Sequence, residues 1–102
     1  MSTATPRPVV RAMRSMGEDL HRWRRLQGLS REVVADRAGV SLSTVKRIEA
    51  GQGASLEHVL RVARALGVMD SLVESVDPLA SDVGRMRAVE LLDGTAAGGR
   101  RR

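Results

Sequence analysis

The most constraining feature of this chain of 102 residues is the block 28–51, which has the pattern of two short helices joined by a tight turn. Val34 lies on the apolar face of the first helix, and Val45 and Ile48 lie on that of the second. Gly39 stands in the turn, where a positive φ is most easily adopted by glycine. Helices this short are stable only when their apolar faces pack together. The polar face of the second helix is then left free.

Cap and glycine signals divide the chain into five helices and an extension. Ser15 begins a capping box, and Ser30, Ser55 and Asp70 are further N-cap candidates. Apolar residues recur at helical spacing between these caps and the glycines that end the segments. No stretch alternates in the manner of a strand. The sequence therefore predicts an all-α fold with a five-helix bundle over residues 15–77.

Two flanking segments complete the predicted organisation. Residues 1–14 contain two prolines and three arginines and are predicted to form a flexible basic arm. Residues 78–102 form a C-terminal extension, in which a thin apolar stripe favours a helix over 81–92 although Gly84 interrupts it. The low-complexity end, residues 94–102, is predicted to be disordered.

The charge balance indicates a polyanionic partner. Seventeen basic residues against twelve acidic ones give a formal charge of +5. All the basic residues except Lys46 are arginines, whose planar fork suits phosphate and guanine, although a GC-rich coding sequence explains the same bias. Trp23, the only aromatic residue, lies on the apolar stripe of the first helix and is expected in the core. Recognition of single strands by ring stacking is therefore disfavoured, and double-stranded DNA is the predicted partner.

Other classes of function find little support in the sequence. His21 and His58 are far apart, on sides of different helices that are expected to face solvent, and the chain has no cysteine, so neither a metal nor another cofactor is expected. No nucleophile, base and acid stand in a plausible order, and no glycine-rich phosphate loop follows a strand, so we expect no enzyme. No apolar run approaches the roughly 18 residues of a membrane helix, and we expect a cytoplasmic protein with no membrane partner.

The pattern as a whole resembles the phage-repressor-like, or Xre-type, helix-turn-helix DNA-binding family. The resemblance covers about residues 16–76 and is dense in the segments 28–30, 38–41 and 43–51. It implies that the helix from Leu42 is the recognition helix and enters the major groove. It also implies a sequence-specific transcriptional regulator, a repressor that binds a pseudo-palindromic operator as a homodimer.

The same resemblance implies roles for individual residues. It places the DNA-binding positions at Ser30, Arg31, Ser41, Leu42, Ser43, Thr44, Lys46 and Arg47. Leu42 departs from the glutamine or arginine common in the family and offers only an apolar contact, suited to a thymine methyl group. Arg31 stands where glutamine is common, which favours a contact with charge. Arg24 and Glu49 are implied to bridge the first helix and the end of the recognition helix, and Gly39 is implied to be structural.

A weaker resemblance favours a second function. The segments 49–57 and 66–72, followed by an arginine-rich end, are similar to HipB-type antitoxins, which bind a kinase-like toxin and repress their own operon. The chain would then neutralise a protein partner as well as bind DNA. The candidates for a dimer surface are Leu72, Val73, Val76 and the last helix.

Overall fold

The computed structural model describes residues 4–97 of the chain, with side chains described as far as residue 94. It contains six α-helices and one short 3-10 helix, Pro78–Ala80. The α-helices are α1 (Arg7–Leu26), α2 (Arg31–Ala38), α3 (Leu42–Glu49), α4 (Leu56–Ala65), α5 (Met69–Ser75) and α6 (Asp82–Ala97). The described residues include no strand, so the predicted all-α class is confirmed. The described residues contain six α-helices and not five, because α6 of the extension is added to the five helices predicted for residues 15–77.

The chain divides into two compact units. The first extends to Met69 and contains α1 to α4, and the second begins at Asp70 and contains most of α5, the 3-10 helix and α6. Within the described residues, no helix combines the length and the apolarity needed to cross a lipid bilayer.

The start of α1 differs from the prediction. The helix begins at Arg7 rather than at Ser15, so the flexible arm predicted for residues 1–14 is wrong from Arg7 onward. Pro8 lies in the first turn of α1, where its fixed φ suits a helix and its missing N–H removes no hydrogen bond. The two prolines, Pro6 before the helix and Pro8 in its first turn, therefore help to begin this helix rather than to keep the segment irregular. Residues 1–3 lie outside the described residues.

The second unit also differs in part from its prediction. α6 lies where the apolar stripe favours a helix but continues through residues 94–97, which were expected to be disordered. Residues 98–102 lie outside the described residues. Gly84 is a packing residue rather than an interruption, because a Cβ there would collide with the carbonyl group of Pro78. The absence of a side chain lets the 3-10 helix lie directly against α6.

The core of the first unit is small and aliphatic. α3 contacts α1, α2 and α4, so it is held from several sides. The apolar residues of this core that are almost fully enclosed are Leu20, Val34, Ala35, Ala38, Val45, Ile48, Val62, Ala63 and Leu66. Burial of such side chains supplies most of the stability of a domain this size. The position of α3 is therefore fixed by the core itself.

Trp23 does not belong to that core. It is 46% exposed, so the prediction that it is buried is wrong. The buried residues of α1 are Gly17, Leu20 and Arg24. At about 100° per residue, Trp23 lies roughly 60° from Leu20 on the side away from Gly17 and Arg24. The indole therefore lies at the edge of a narrow contact face.

Candidate nucleic-acid interface

One face of α3 is anchored in the core and the other is open to solvent. Val45 is fully buried and Ile48 is 5% exposed. Ser43, Lys46 and Arg47 are exposed. The polar face of the helix is thus presented outward on a rigid base, the orientation that a helix needs to enter a groove of DNA.

The turn before α3 depends on one glycine. Gly39 ends α2 with φ of 69° and ψ of 35°, which confirms the positive φ predicted from the sequence. The N–H of Val40 then donates to the carbonyl oxygen of Ala35 at 3.0 Å. This left-handed cap turns the chain sharply from α2 into α3.

Hydroxyl groups cap the helices on this side of the first unit. The hydroxyl oxygen of Ser41 accepts a hydrogen bond from the backbone N–H of Thr44 at 3.1 Å, and lies 2.9 Å from the Thr44 hydroxyl. Ser30 caps α2 in the same way, by accepting from the N–H of Val33 at 3.1 Å. Three of the predicted DNA-binding residues, Ser30, Ser41 and Thr44, therefore also take part in helix capping. Leu42 is half-buried in the first turn of α3.

Arg47 is held by the loop that follows α3. Its Nη2 donates to the carbonyl oxygen of Gly53 at 2.9 Å, while the side chain stays exposed. A guanidinium group has five N–H donors, so this contact leaves most of them available. The loop therefore sets the direction of the side chain without saturating it.

The carboxylate of Glu49 is the centre of a buried charge cluster, here called the Glu49 cluster. Its side chain is 6% exposed, and Oε2 accepts a hydrogen bond from Nε of Arg24 at 2.7 Å. Oε1 accepts from Nε of Arg31 at 2.9 Å and lies 3.0 Å from Nδ1 of His21. Nη1 of Arg24 donates to the carbonyl oxygen of Leu29 at 2.9 Å. The cluster thus joins α1, the start of α2 and the end of α3.

For two members of this cluster, the structure differs from what the sequence predicted. His21 was expected to face solvent, but it is half-buried against Glu49. Its Nδ1 lies 3.0 Å from both Glu49 Oε1 and Arg24 Nη2, so it can donate to the first or accept from the second, but not both. Arg31, implied to contact phosphate, is bound to Glu49 through Nε and keeps a side chain that is 41% exposed.

A cleft beside the cluster concentrates basic side chains at the start of α2. Its lining residues are His21, Arg24, Arg25, Gly28, Leu29, Ser30 and Arg31. Arg24 is neutralised by Glu49, but Arg25 and the outer part of Arg31 remain exposed. The cleft therefore carries positive charge next to the N-terminus of a helix, and both features favour an anion.

The electrostatics of the cluster keep Glu49 ionised. Burial raises the pKa of this carboxyl group, but the hydrogen bonds from Arg24, His21 and Arg31 outweigh it and lower the pKa from 4.5 to about 2. Each of these groups stabilises the charged form. Glu49 is therefore a carboxylate at neutral pH, and the cluster carries net positive charge.

The lowered pKa of Glu49 predicts a loss of stability in acid. The stabilisation is complete above the ordinary pKa of 4.5 and is lost as the pH falls towards about 2. Between about pH 5 and about pH 3, we expect the free energy of unfolding in urea to decrease by about 2 kcal/mol through this group. Glu49→Gln should lack this part of the pH dependence. Equal acid dependence in the two proteins would show that Glu49 is not coupled to folding.

A short turn joins two helices, and the second helix has a buried apolar face and an exposed polar face. This arrangement defines a DNA-binding helix-turn-helix unit. A family model described as a helix-turn-helix domain matches residues 15–76, and the chain belongs to that family. The match confirms the resemblance to phage-repressor-like proteins at the level of the family. Comparison with curated proteins gives no match, and comparison with solved structures gives none either.

Proposed function

We propose that this protein is a sequence-specific transcriptional repressor, which binds a pseudo-palindromic operator as a homodimer and inserts α3 into the major groove. The observation that carries the proposal is the outward face of α3, where Ser43, Lys46 and Arg47 are exposed while Val45 and Ile48 are buried. An α-helix of 8 residues is about 12 Å long, comparable to the width of the major groove.

The charge of α3 supports this placement. Glu49 is its only acidic residue, and that carboxylate is buried in ion pairs. The exposed charges of the helix are therefore those of Lys46 and Arg47, both positive. Such a face attracts the phosphate backbone and presents donors to the acceptor groups of guanine.

Base reading is assigned chiefly to Arg47. The contact with the Gly53 carbonyl restrains its long side chain before DNA arrives, which lowers the entropy lost on binding. Ser43 and Lys46 supply further polar contacts from the same face, and the exposed part of Leu42 suits a thymine methyl group.

Phosphate binding is assigned to the start of α2. Arg31 uses Nε for Glu49, which leaves its terminal nitrogens to reach a phosphate beside Ser30. Because Glu49 belongs to α3, the same ion pair fixes the spacing between the phosphate-binding residue and the base-reading helix. This coupling positions both contacts on one duplex.

Two arginine variants test the assignment after bound duplexes have been selected from a random pool. Arg47→Ala should weaken binding to the selected duplex by about 1–3 kcal/mol and relax its sequence preference. Arg31→Ala should weaken binding to all duplexes and reduce the slope of affinity against salt by about one. Arg22→Ala removes an equally positive, exposed side chain that pairs with Asp19, and serves as the control for charge.

The measurement is fluorescence anisotropy over a salt titration with the selected duplex and a scrambled one. Selective loss in Arg47→Ala and uniform loss in Arg31→Ala support the proposed docking. If both variants bind the selected duplex as tightly as Arg22→Ala does, α3 is not the reading helix and the proposal fails.

An antitoxin function is the alternative candidate, favoured by the apolar side chains that the second unit exposes. Such a protein would bind a toxin through the extension and bind DNA through the first unit. Deletion of residues 77–102 distinguishes the two functions. An antitoxin loses the toxin but keeps its operator, whereas a repressor that dimerises through the extension loses affinity for the operator.

A further inference from the structure

The first turns of α1 extend beyond what the core of the first unit requires. All of residues 7–12 are exposed except Val10, which is half-buried, and the buried residues of α1 begin at Gly17. The match to the helix-turn-helix family begins only at residue 15. Because helices gain most of their stability from burying an apolar face, this part of α1 adds little to the fold. It presents surface rather than core.

The charges of this segment are unfavourable for the helix itself. Arg7, Arg11 and Arg14, here called the arginine row, follow one another at spacings of four and three residues, so they lie on one side of α1 and repel each other. The first turn contains no acidic residue, so the positive end of the helix dipole meets positive side chains. All three side chains are exposed. A bound polyanion would relieve both repulsions.

The arginine row is aligned with the proposed phosphate site. Arg25 lies 18 residues after Arg7. This separation is about five turns at 3.6 residues per turn, so the two side chains leave α1 in the same direction, and Arg11 and Arg14 deviate from it by about 40° and about 20°. Arg25 lines the cleft at the start of α2, where phosphate binding is proposed. The row therefore faces the side of the first unit on which phosphate is expected.

The middle of this side of α1 carries less free positive charge. Glu18 and Arg22 lie between the row and Arg25, and Arg22 is paired with Asp19 at 2.7 Å. The positive charge is thus concentrated at the two ends of the helix, at the arginine row and at the cleft.

The row begins beside the loop that follows α3. A Cβ at Gly51 would lie 2.8 Å from the Cα of Arg14. Gly53 of the same loop accepts the hydrogen bond that restrains Arg47, the proposed base-reading residue. From Arg14 to Arg7 the helix rises about 10 Å, which is the length of about three base pairs. The row therefore leads outward from the proposed DNA-binding face.

We propose that the arginine row binds the phosphate backbone of DNA that flanks the bases read by α3, and so forms a second phosphate site ahead of the helix-turn-helix unit. A guanidinium group donates in a fixed fork that fits phosphate oxygens. Such contacts add affinity without reading sequence. The inference rests on the proposed function, because it needs a duplex seated on α3. The alignment with Arg25 and the approach of Arg14 to the loop after α3 favour a duplex over an anionic lipid surface.

The test uses the selected duplex in two lengths, with affinity measured by fluorescence anisotropy. The short form ends at the selected site, and the long form carries about ten further base pairs on each side, more than the row can span. The wild type should bind the long form on the order of 10-fold more tightly at low salt, because the flanking phosphates are present only there. Arg7→Ala/Arg11→Ala, which removes the two arginines farthest from the core, should bind both lengths alike.

The salt dependence gives a second readout on the long duplex. Two phosphate contacts contribute about 1.8 to the slope of log affinity against log salt. Raising the salt from about 50 to about 200 mM should therefore weaken wild-type binding on the order of 10-fold more than binding by Arg7→Ala/Arg11→Ala. Arg7→Lys/Arg11→Lys keeps the charge and should keep most of the wild-type slope.

Arg37→Ala/Arg64→Ala is the matched control for charge. It also removes two exposed arginines, but from the cleft at the opposite end of α2 from the proposed phosphate site. This control should keep the preference for the long duplex. The thermal unfolding temperature of Arg7→Ala/Arg11→Ala should not fall, because alanine is the best helix former and the repulsion between the arginines is removed.

Three results would overturn the inference. The first is an Arg7→Ala/Arg11→Ala protein that prefers the long duplex as strongly as the control does. The second is a lower unfolding temperature of that variant, which would assign the two arginines to the fold. The third is loss of binding to phosphatidylglycerol vesicles in the variant without any loss on the long duplex, which would assign the row to a membrane.

The short duplex separates this inference from the proposed function. If Arg47→Ala binds the short form as tightly as the wild type does, α3 is not the reading helix and the proposed function fails. If Arg47→Ala weakens binding to the short form but the wild type shows no preference for the long form, the arginine row alone is refuted.

Discussion

Glu49→Ala should destabilise the folded protein by about 3–5 kcal/mol at neutral pH, which is a large part of the stability of a small domain. The loss arises because Arg24 would stay buried without the carboxylate that neutralises it. Arg24 is 6% exposed, and without Glu49 its Nε loses its acceptor in the interior while Nη2 keeps only the neutral Nδ1 of His21 within reach. Its hydrogen bond to the Leu29 carbonyl persists but does not compensate the charge. Urea unfolding followed by circular dichroism measures the difference.

A second ion pair in the same unit provides the control for Glu49→Ala. Glu57 accepts from Nε of Arg61 at 2.9 Å, but these side chains are 71% and 48% exposed. Water screens such a pair, so Glu57→Ala should change the free energy of unfolding by less than about 1 kcal/mol. Replacing both Arg24 and Glu49 with apolar residues should recover much of the stability. Similar losses in Glu49→Ala and Glu57→Ala would show that burial does not strengthen the cluster.

The effect of Glu49→Ala should extend to DNA binding. The cluster joins Arg31 at the start of α2 to the end of α3. Without the carboxylate, Arg31 gains freedom while the relative position of the two helices becomes less defined. We therefore expect weaker discrimination between duplexes even where the protein is fully folded.

The fold of the first unit could be predicted where the signals were local. Ser30 and Ser55 each cap a helix at the predicted place, because an N-cap needs only a hydroxyl and the next turn. The start of α1 was missed because a serine followed by glutamate three residues later also fits inside a helix. Pro8 then indicated an irregular segment, although proline is equally suited to a first turn.

The Glu49 cluster could be predicted only in part. Arg24 and Glu49 were paired through the resemblance to a family, not from spacing. His21 and Arg31 are separated from Glu49 by 28 and 18 residues, so only the crossing of α1, α2 and α3 brings them together. His21 and Arg24 are three residues apart and therefore lie on one side of α1. What that side faces is decided by tertiary packing, as the exposure of Trp23 also shows.

Gly17 is the residue on which the crossing of α1 and α3 depends, and Gly17→Ala should destabilise the protein by about 3 kcal/mol. A Cβ at this position would collide with the carbonyl oxygen of Ile48 and lie 2.8 Å from that of Glu49. Both neighbours are backbone atoms of α3, so neither can rotate away. α1 would have to move outward, which also lengthens the contact between Arg24 and Glu49.

Whether Gly17→Ala lowers or raises the stability of the protein distinguishes an effect of packing from one of helix propensity. Alanine at an exposed helical position is more favourable than glycine by about 1 kcal/mol, so a helix without the crossing would gain stability from Gly17→Ala. Gly53→Ala serves as the control, because a Cβ there meets nothing within 4 Å, and it should change stability by less than about 0.5 kcal/mol. Thermal unfolding of both variants gives the comparison. A stabilised Gly17→Ala protein would mean that α1 does not lie this close to α3, and the position of Arg24 beside Glu49 would then lose its structural basis.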